Sequence, residues 1–166
     1  MKTADALNLL IALEERVARI YFRFFRAFRE DRVAAECWWE LARDEYGHAG
    51  VLKMIRELVA SDAECGEIGP RLWSLVETVE RCEQQALAVD SLPKALELAI
   101  RLESSELDAM GDRFVQSLGP DLPGEAARSF SPSDRHCRRL AEAAGRTADL
   151  KLRQRLESML GGLRGR

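Results

Sequence analysis

The feature that most constrains this chain is the helical spacing of its apolar residues, which is interrupted at a few inner positions by acidic or imidazole groups. Residues 4–29 place leucine, valine and aromatic residues on one face, with Glu14 among them. Residues 31–60 repeat the pattern, and Glu45 and His48 lie on the apolar stripe. A chain of 166 residues built this way is long enough for one hydrophobic core. We therefore predict a single domain over residues 1–166.

Two further long helices are indicated in the second half of the chain. Ser91 and Pro93 predict a helix start, and Gly119-Pro120 predicts its end, giving a helix over about 92–118. Ser131-Pro132 begins a fourth helix over about 132–160, ended by Gly161-Gly162. Residues 61–91 form a weakly patterned connector with one or two shorter helices. The prediction is an all-α fold, an antiparallel four-helix bundle with a long crossover between helices 2 and 3.

The chain also repeats itself. With a shift of 89 residues, the segment ending at Glu14 matches the segment ending at Glu103, so helix 3 is a second copy of helix 1. With a shift of 99 residues, Leu41-Ala42 matches Leu140-Ala141, which makes helix 4 a weaker copy of helix 2.

Carboxylates on these inner faces predict a cation-binding site. Glu45 and His48 are three residues apart and share one helical face, the spacing that carboxylate-bridged metal sites use in helical bundles. Two ionised carboxylates about 4 Å apart repel by roughly 4 kcal/mol at an effective dielectric constant near 20. A cluster of this kind therefore needs a cation or protons.

With these residues the chain resembles the rubrerythrin-like branch of the ferritin-like superfamily over nearly its whole length. The resemblance is carried by Ala12-Leu13-Glu14 with Tyr21 seven residues on, Leu41-Ala42-x-x-Glu45-x-x-His48, and Leu102-Glu103-x-x-Glu106. Members of that family hold two irons with these glutamates, the helix 2 Glu-x-x-His, and a second Glu-x-x-His on helix 4. The resemblance implies a ferritin-like fold and metal ligands at Glu14, Glu45, His48, Glu103 and Glu106.

Helix 4 departs from the family pattern. By the 99-residue shift, Ala144 and Thr147 occupy the positions of the expected glutamate and histidine. His136 lies about three helical turns before Thr147, so we interpret it as a surface or capping residue. Cys137, on the inner face, is interpreted as a small core residue.

With those ligands absent, one metal position remains complete. We expect one iron ion in preference to two, with Mn or Zn as alternatives. Glu103 is then left without a metal, and Lys151 is a candidate to reach toward Glu103 or Glu45 and replace the missing positive charge. The alternative is that Lys151 points out of the end of the bundle.

Two functions remain open from the sequence. The resemblance implies a metal-binding oxidoreductase that reacts with peroxide or dioxygen. The alternative is a non-catalytic ferritin-like structural or interaction protein whose core glutamates are neutralised by Lys151 or by protons. The four cysteines include no Cys-x-x-Cys pair, so a redox function would need an external electron donor.

Other patterns bear on partners and location. Phe22 and Trp39 lie off the core stripes, which favours a homodimer through helices 1 and 2 unless the crossover covers them. The basic C-terminal segment has no interleaved aromatic residues, so we expect no nucleic acid binding. No segment is apolar enough for a membrane span, no cleavage site follows the apolar stretch near the N-terminus, and we expect a cytoplasmic protein with reduced thiols.

Overall fold

The structure is a computed structural model that describes residues 1–59, 68–105, 107–118, 134–147 and 149–163. Within these ranges the chain forms seven helices, and the expected all-α class is confirmed. The helices are α1 (Thr3–Ala27), α2 (Arg32–Leu58), α3 (Ile68–Ala86), α4 (Leu92–Glu103), α5 (Leu107–Ser117), α6 (Asp134–Ala144) and α7 (Leu150–Leu163). None of them is long and apolar enough to cross a membrane.

The first two helices, α1 and α2, follow each other in the chain and correspond to the predicted helices at 4–29 and 31–60. Asp31 caps the second helix, since its Oδ1 accepts hydrogen bonds from the backbone N–H groups of Val33 and Ala34 at 3.1 and 3.2 Å. The helix α1 packs most extensively against α2. Their inner faces bury the largest core side chains, Trp38, Tyr21 and Phe24 among them.

Four helices, α1, α2, α4 and α6, surround the core, and each of them contacts two others of the set. The helix α6 packs against both α2 and α4, and α4 in turn contacts α1. The helix α3, which lies inside the predicted connector 61–91, packs against α1 and α4, and α7 packs against α6 and α4. Side chains from all seven helices contribute to one cluster of buried apolar residues.

The predicted third helix is interrupted, which is a correction to the continuous helix expected over 92–118. The helix α4 ends at Glu103, where the Ser105 hydroxyl donates a hydrogen bond to the Leu102 carbonyl at 2.6 Å. Serine side chains compete in this way for backbone carbonyls and can end a helix. The chain resumes as α5 at Leu107. Glu103 is thereby placed at the end of a helix.

The predicted fourth helix is also divided. The helix α6 ends at Ala144, and Arg153 from α7 donates hydrogen bonds to the carbonyls of Ala144 at 3.1 Å and Gly145 at 2.8 Å. Because these carbonyls lie at the C-terminal end of α6, the guanidinium stabilises that end of the helix. The helix α7 continues to Leu163, so Gly161-Gly162 does not end it as expected.

The cysteines behave as the sequence indicates where the structure describes them. Cys37, Cys82 and Cys137 are buried thiols that form no disulfide with any described residue. Burial raises the pKa of the Cys37 thiol to about 12, which keeps it protonated and unreactive. Cys65 lies outside the described residues.

Candidate metal centre

The first group of candidate ligands comes from α1 and α2. Glu14 lies in the apolar stripe of α1, and Glu45 and His48 lie one turn apart on α2. The Nδ1 atom of His48 is 3.1 Å from Glu45 Oε2 and 3.8 Å from Glu14 Oε2. One ligand atom from each residue lies within 4.8 Å of the others, which is close enough for one ion to bind all three. The structure thus brings together three of the five ligands expected from the sequence.

A second group lies beside the first and shares Glu45 with it. His136, in the first turn of α6, places Nδ1 3.2 Å from Glu103 Oε2 and 3.6 Å from Glu45 Oε1. One ligand atom from each of these three residues also lies within 4.8 Å of the other two, close enough for one ion to bind all three. The two imidazole rings, of His48 and His136, have centroids 6.2 Å apart. Glu45 therefore faces one histidine with each of its carboxylate oxygens.

The position of His136 corrects the sequence interpretation of it as a surface or capping residue. Its side chain is 1% exposed and lies among three carboxylates, including that of Asp44 at 3.4 Å from Nε2. The 99-residue shift, which aligns Leu41-Ala42 with Leu140-Ala141, does not identify His136 as a candidate ligand. A shift of 88 residues places His48 on His136 and Glu45 on Ser133, nearly the same shift that relates helices 1 and 3.

The residues expected to stand at the ligand positions of helix 4 have other roles. Ala144 is a fully buried apolar residue, and the buried Thr147 hydroxyl donates a hydrogen bond to the Ala144 carbonyl at 3.0 Å. Lys151 is exposed on α7, so it does not replace a metal charge in the core. The imidazole of His136 takes the place proposed for Lys151. Glu106, the remaining expected ligand, lies outside the described residues.

Residues around the second group hold its ligands in position. The Tyr21 hydroxyl donates a hydrogen bond to Glu103 Oε1 at 2.6 Å. Asp44 faces His136 Nε2, and Asp44 is itself held by Arg139 at 2.8 Å and by Arg43 at 3.0 Å. A carboxylate on the far nitrogen of a ligating imidazole fixes the tautomer that leaves the other nitrogen free to bind metal. Asp44 suits that role because Nδ1 is the atom that faces Glu45 and Glu103.

The Glu14 carboxylate shows that the first group fits a cation. It is fully buried, and neither of its oxygens accepts a hydrogen bond from the described residues. Buried polar atoms in folded proteins are almost always hydrogen-bonded, so a buried carboxylate without such a bond, next to two further potential ligands, suits a cation. Three carboxylates and two imidazoles form a mixed oxygen and nitrogen donor set that suits Fe, Mn or Zn.

The histidines carry protons when no metal is bound. Burial alone would lower the pKa of His48, but Glu14 and Glu45 oppose this and raise it to about 11. Burial likewise works against the charged form of His136, whereas Glu103, Asp44 and Glu45 raise its pKa to about 11. The pKa of Glu103 is lowered because His136 and Tyr21 outweigh its burial. Two imidazolium groups therefore compensate much of the carboxylate charge in the metal-free protein, and metal must displace these protons.

The metal-free protein is expected to lose stability as the pH rises above about 6.5, the ordinary pKa of histidine. Both histidine pKa values are raised on folding, so their contribution is complete below the unfolded-state pKa and is lost toward the folded-state value of about 11. The slope is at most about 1.4 kcal/mol per pH unit for each histidine. Urea unfolding with a chelator present between pH 6.5 and 8.5, before cysteines titrate, measures it. Stability that is constant or rises across this range would contradict the assignment, and a His48→Gln, His136→Gln double variant should show a flatter profile.

A small cavity adjoins the second group. It has a volume of about 20 Å³ and is lined by Val17, Tyr21, Glu45, Leu102, Glu103 and Leu107. A space of this size holds one water-sized molecule. The carboxylates of Glu45 and Glu103 form its polar side, and the remaining wall is mainly apolar. A small exogenous molecule in this cavity would lie directly beside the candidate ligands.

Comparison with known proteins assigns no relationship: no protein-family model, no curated protein and no solved structure matches this chain.

Proposed function

We propose that this chain binds two divalent metal ions in a carboxylate-bridged centre of the rubrerythrin type. The observation that carries the proposal is the sharing of Glu45, whose two oxygens face two different histidines at 3.1 and 3.6 Å. One ion is the expectation from the sequence only as long as the second position has no nitrogen ligand. His136 supplies that nitrogen, so two ions are now the better expectation.

The fold proposed with this centre is a ferritin-like four-helix arrangement. The helices α1, α2, α4 and α6 each contribute a candidate ligand, and each of them contacts two others of the set. The helix α3 would then belong to the long crossover between the second and third bundle helices. An arrangement in which every bundle helix projects a ligand inward is the one used by carboxylate-bridged metal centres.

As an activity, we propose oxidoreductase chemistry toward peroxide or dioxygen, with iron as the preferred metal. A bound pair of redox-active ions would supply electron transfer to the small molecule. The protein would orient the ions through Glu14, Glu45, Glu103 and the two histidines, and the 20 Å³ cavity would admit a molecule of the right size. Tyr21, which lines this cavity and donates its hydroxyl to Glu103 Oε1, would be the nearest proton donor if metal binding drew the Glu103 carboxylate away. Electrons would come from an external donor.

Metal analysis tests the proposal. The protein is produced with iron in the growth medium, and a second sample is reconstituted with Fe(II), Mn(II) or Zn(II) and desalted. Elemental analysis close to two ions per chain is expected. A value near one would support a mononuclear centre, and less than about 0.1 ion per chain under all conditions would overturn metal binding.

A second candidate function is a non-catalytic ferritin-like protein. The observation that favours it is that the imidazolium groups of His48 and His136 already lie between the carboxylates, at 3.1 to 3.8 Å. A metal-free core neutralised by these two protons can fold without any cation. The metal analysis above distinguishes the two functions, because only the first requires stoichiometric metal.

We also propose a homodimer formed through α1 and α2. Phe22, Phe25 and Trp39 form one aromatic surface with ring centroids 5.5 to 6.1 Å apart. Trp39 is 46% exposed and Phe22 is 39% exposed, so α3 does not cover them. Aromatic side chains of this kind are enriched at protein interfaces.

A further inference from the structure

The two candidate ligand groups differ in how far the protein already compensates their carboxylates. We call Glu14, Glu45 and His48 the Glu14 half-site, and Glu45, Glu103 and His136 the Glu103 half-site. Both contain two carboxylates and one imidazole, and they share Glu45. A difference in metal binding between them must therefore come from their unshared residues and the groups around these.

The unshared carboxylate of the Glu14 half-site accepts no hydrogen bond within the part of the chain that the structure describes. Glu14 is 0% exposed, and both of its oxygens are buried. Its nearest positive group is His48 Nδ1, which is 3.8 Å away and too far for a hydrogen bond. Folding has already removed water from this carboxylate, so a cation that replaces the His48 proton gains a direct bond to oxygens that accept no hydrogen bond from the described residues.

The unshared carboxylate of the Glu103 half-site is in the opposite situation. Glu103 Oε1 accepts the Tyr21 hydroxyl at 2.6 Å, and Oε2 lies 3.2 Å from His136 Nδ1. A cation that binds here replaces contacts that exist already. Its net gain is therefore smaller than at Glu14.

Asp44 supports His136 as a ligand, and this favours the Glu103 half-site. That support is weakened because Asp44 is shared with two guanidinium groups, Arg139 at 2.8 Å and Arg43 at 3.0 Å. The Asp44 to His136 Nε2 distance of 3.4 Å is the longest of these three contacts. The orphaned Glu14 carboxylate is the larger difference between the half-sites.

We propose that metal loading is ordered: the first divalent cation binds Glu14, Glu45 and His48, and the second binds Glu45, Glu103 and His136 only after the first is in place. The inference rests on the proposed metal-binding function. Glu45 allows the second step because its Oε1 atom, which faces His136, stays available when Oε2 binds the first ion. The two bound ions repel each other, which separates the two affinities further.

The test is a titration of the metal-free full chain with Mn(II), followed by calorimetry and low-temperature electron paramagnetic resonance. Wild-type protein should take up a first equivalent with the spectrum of isolated Mn(II), and a second, weaker equivalent should convert it into an exchange-coupled spectrum. A coupled spectrum from the start of the titration would overturn ordered loading. Absence of any Mn(II) and Zn(II) uptake would instead overturn the proposed function itself.

A matched pair of isosteric variants identifies which half-site fills first. Glu14→Gln should weaken the first equivalent by about 100-fold or more, as expected for loss of a direct ligand, whereas Glu103→Gln should leave it within about threefold and abolish the second. Equal weakening of the first equivalent by both variants, or stronger weakening by Glu103→Gln, would overturn the order. A further readout guards against misfolding: circular dichroism of metal-free Glu14→Gln and Glu103→Gln should show the helix content of the wild type.

Discussion

Replacement of Glu45 by glutamine is expected to remove both metal ions at once, leaving less than about 0.1 ion per chain after desalting. Glu45 is the one carboxylate that belongs to both ligand groups, with Oε2 3.1 Å from His48 and Oε1 3.6 Å from His136. Glutamine keeps the shape of the side chain but loses the charge and one of the two acceptor oxygens. Elemental analysis and calorimetric titration with Mn(II) or Zn(II) measure the loss.

Glu36→Gln is the matched control for this variant, because Glu36 is an exposed glutamate on the same helix. It should bind metal as the wild type does. A Glu45→Gln protein that retains one ion per chain would show that one half-site does not need the shared carboxylate, and the bridged centre would then be wrong. Circular dichroism of both metal-free variants should show unchanged helix content.

Truncation of Trp38 to alanine is expected to cost about 3–5 kcal/mol of unfolding free energy and to lower the melting temperature by about 10 °C or more. Trp38 is fully buried and packs against Tyr21, with ring centroids 6.0 Å apart, and against Phe24 at 5.1 Å. Tyr21 in turn donates its hydroxyl to Glu103. The cavity left by the indole should therefore weaken the Glu103 half-site as well as the core, which thermal melts with and without metal will reveal.

The adjacent tryptophan provides the control for Trp38. Trp39 is 46% exposed and contacts only the aromatic surface of Phe22 and Phe25 among the ring pairs that involve it in the described residues. Trp39→Ala should cost about 1 kcal/mol in a monomer. If the proposed homodimer forms, the same variant should dissociate it, as seen by light scattering after size exclusion. Equal destabilisation by the two variants at high dilution would contradict the assigned core.

The sequence could predict Glu14, Glu45 and His48 because each interrupts an apolar stripe that the helical period makes visible. Glu14 and Glu45 are buried on α1 and α2 as the period requires, and the His48 side chain is 12% exposed. Glu103 was predicted from its repeat relationship to Glu14, and the structure places it in the second ligand group. Local pattern was sufficient to predict that these side chains lie close together, because each lies within a long, regular helix or matches a residue that does.

His136 could not be placed by the same reasoning, because α6 is short and α7 is a separate helix. The sequence comparison aligned residues across the turn at Gly145 to Thr147 as if one helix ran through it. Arg153 stabilises that turn from the following helix by a tertiary contact, and such a contact has no local signature. The interruption at Ser104 and Ser105 was missed for a similar reason, since neither glycine nor proline marks it.

Because Glu45 belongs to both half-sites, the two ions would affect unfolding of the chain differently. An ion in the Glu14 half-site joins only α1 to α2, which are neighbours along the chain. An ion in the Glu103 half-site joins α2, α4 and α6, and it closes the 33-residue separation between Glu103 and His136. The second ion would therefore act as a cross-link between the two halves of the polypeptide, and it would slow global unfolding where the first would only reinforce a local hairpin.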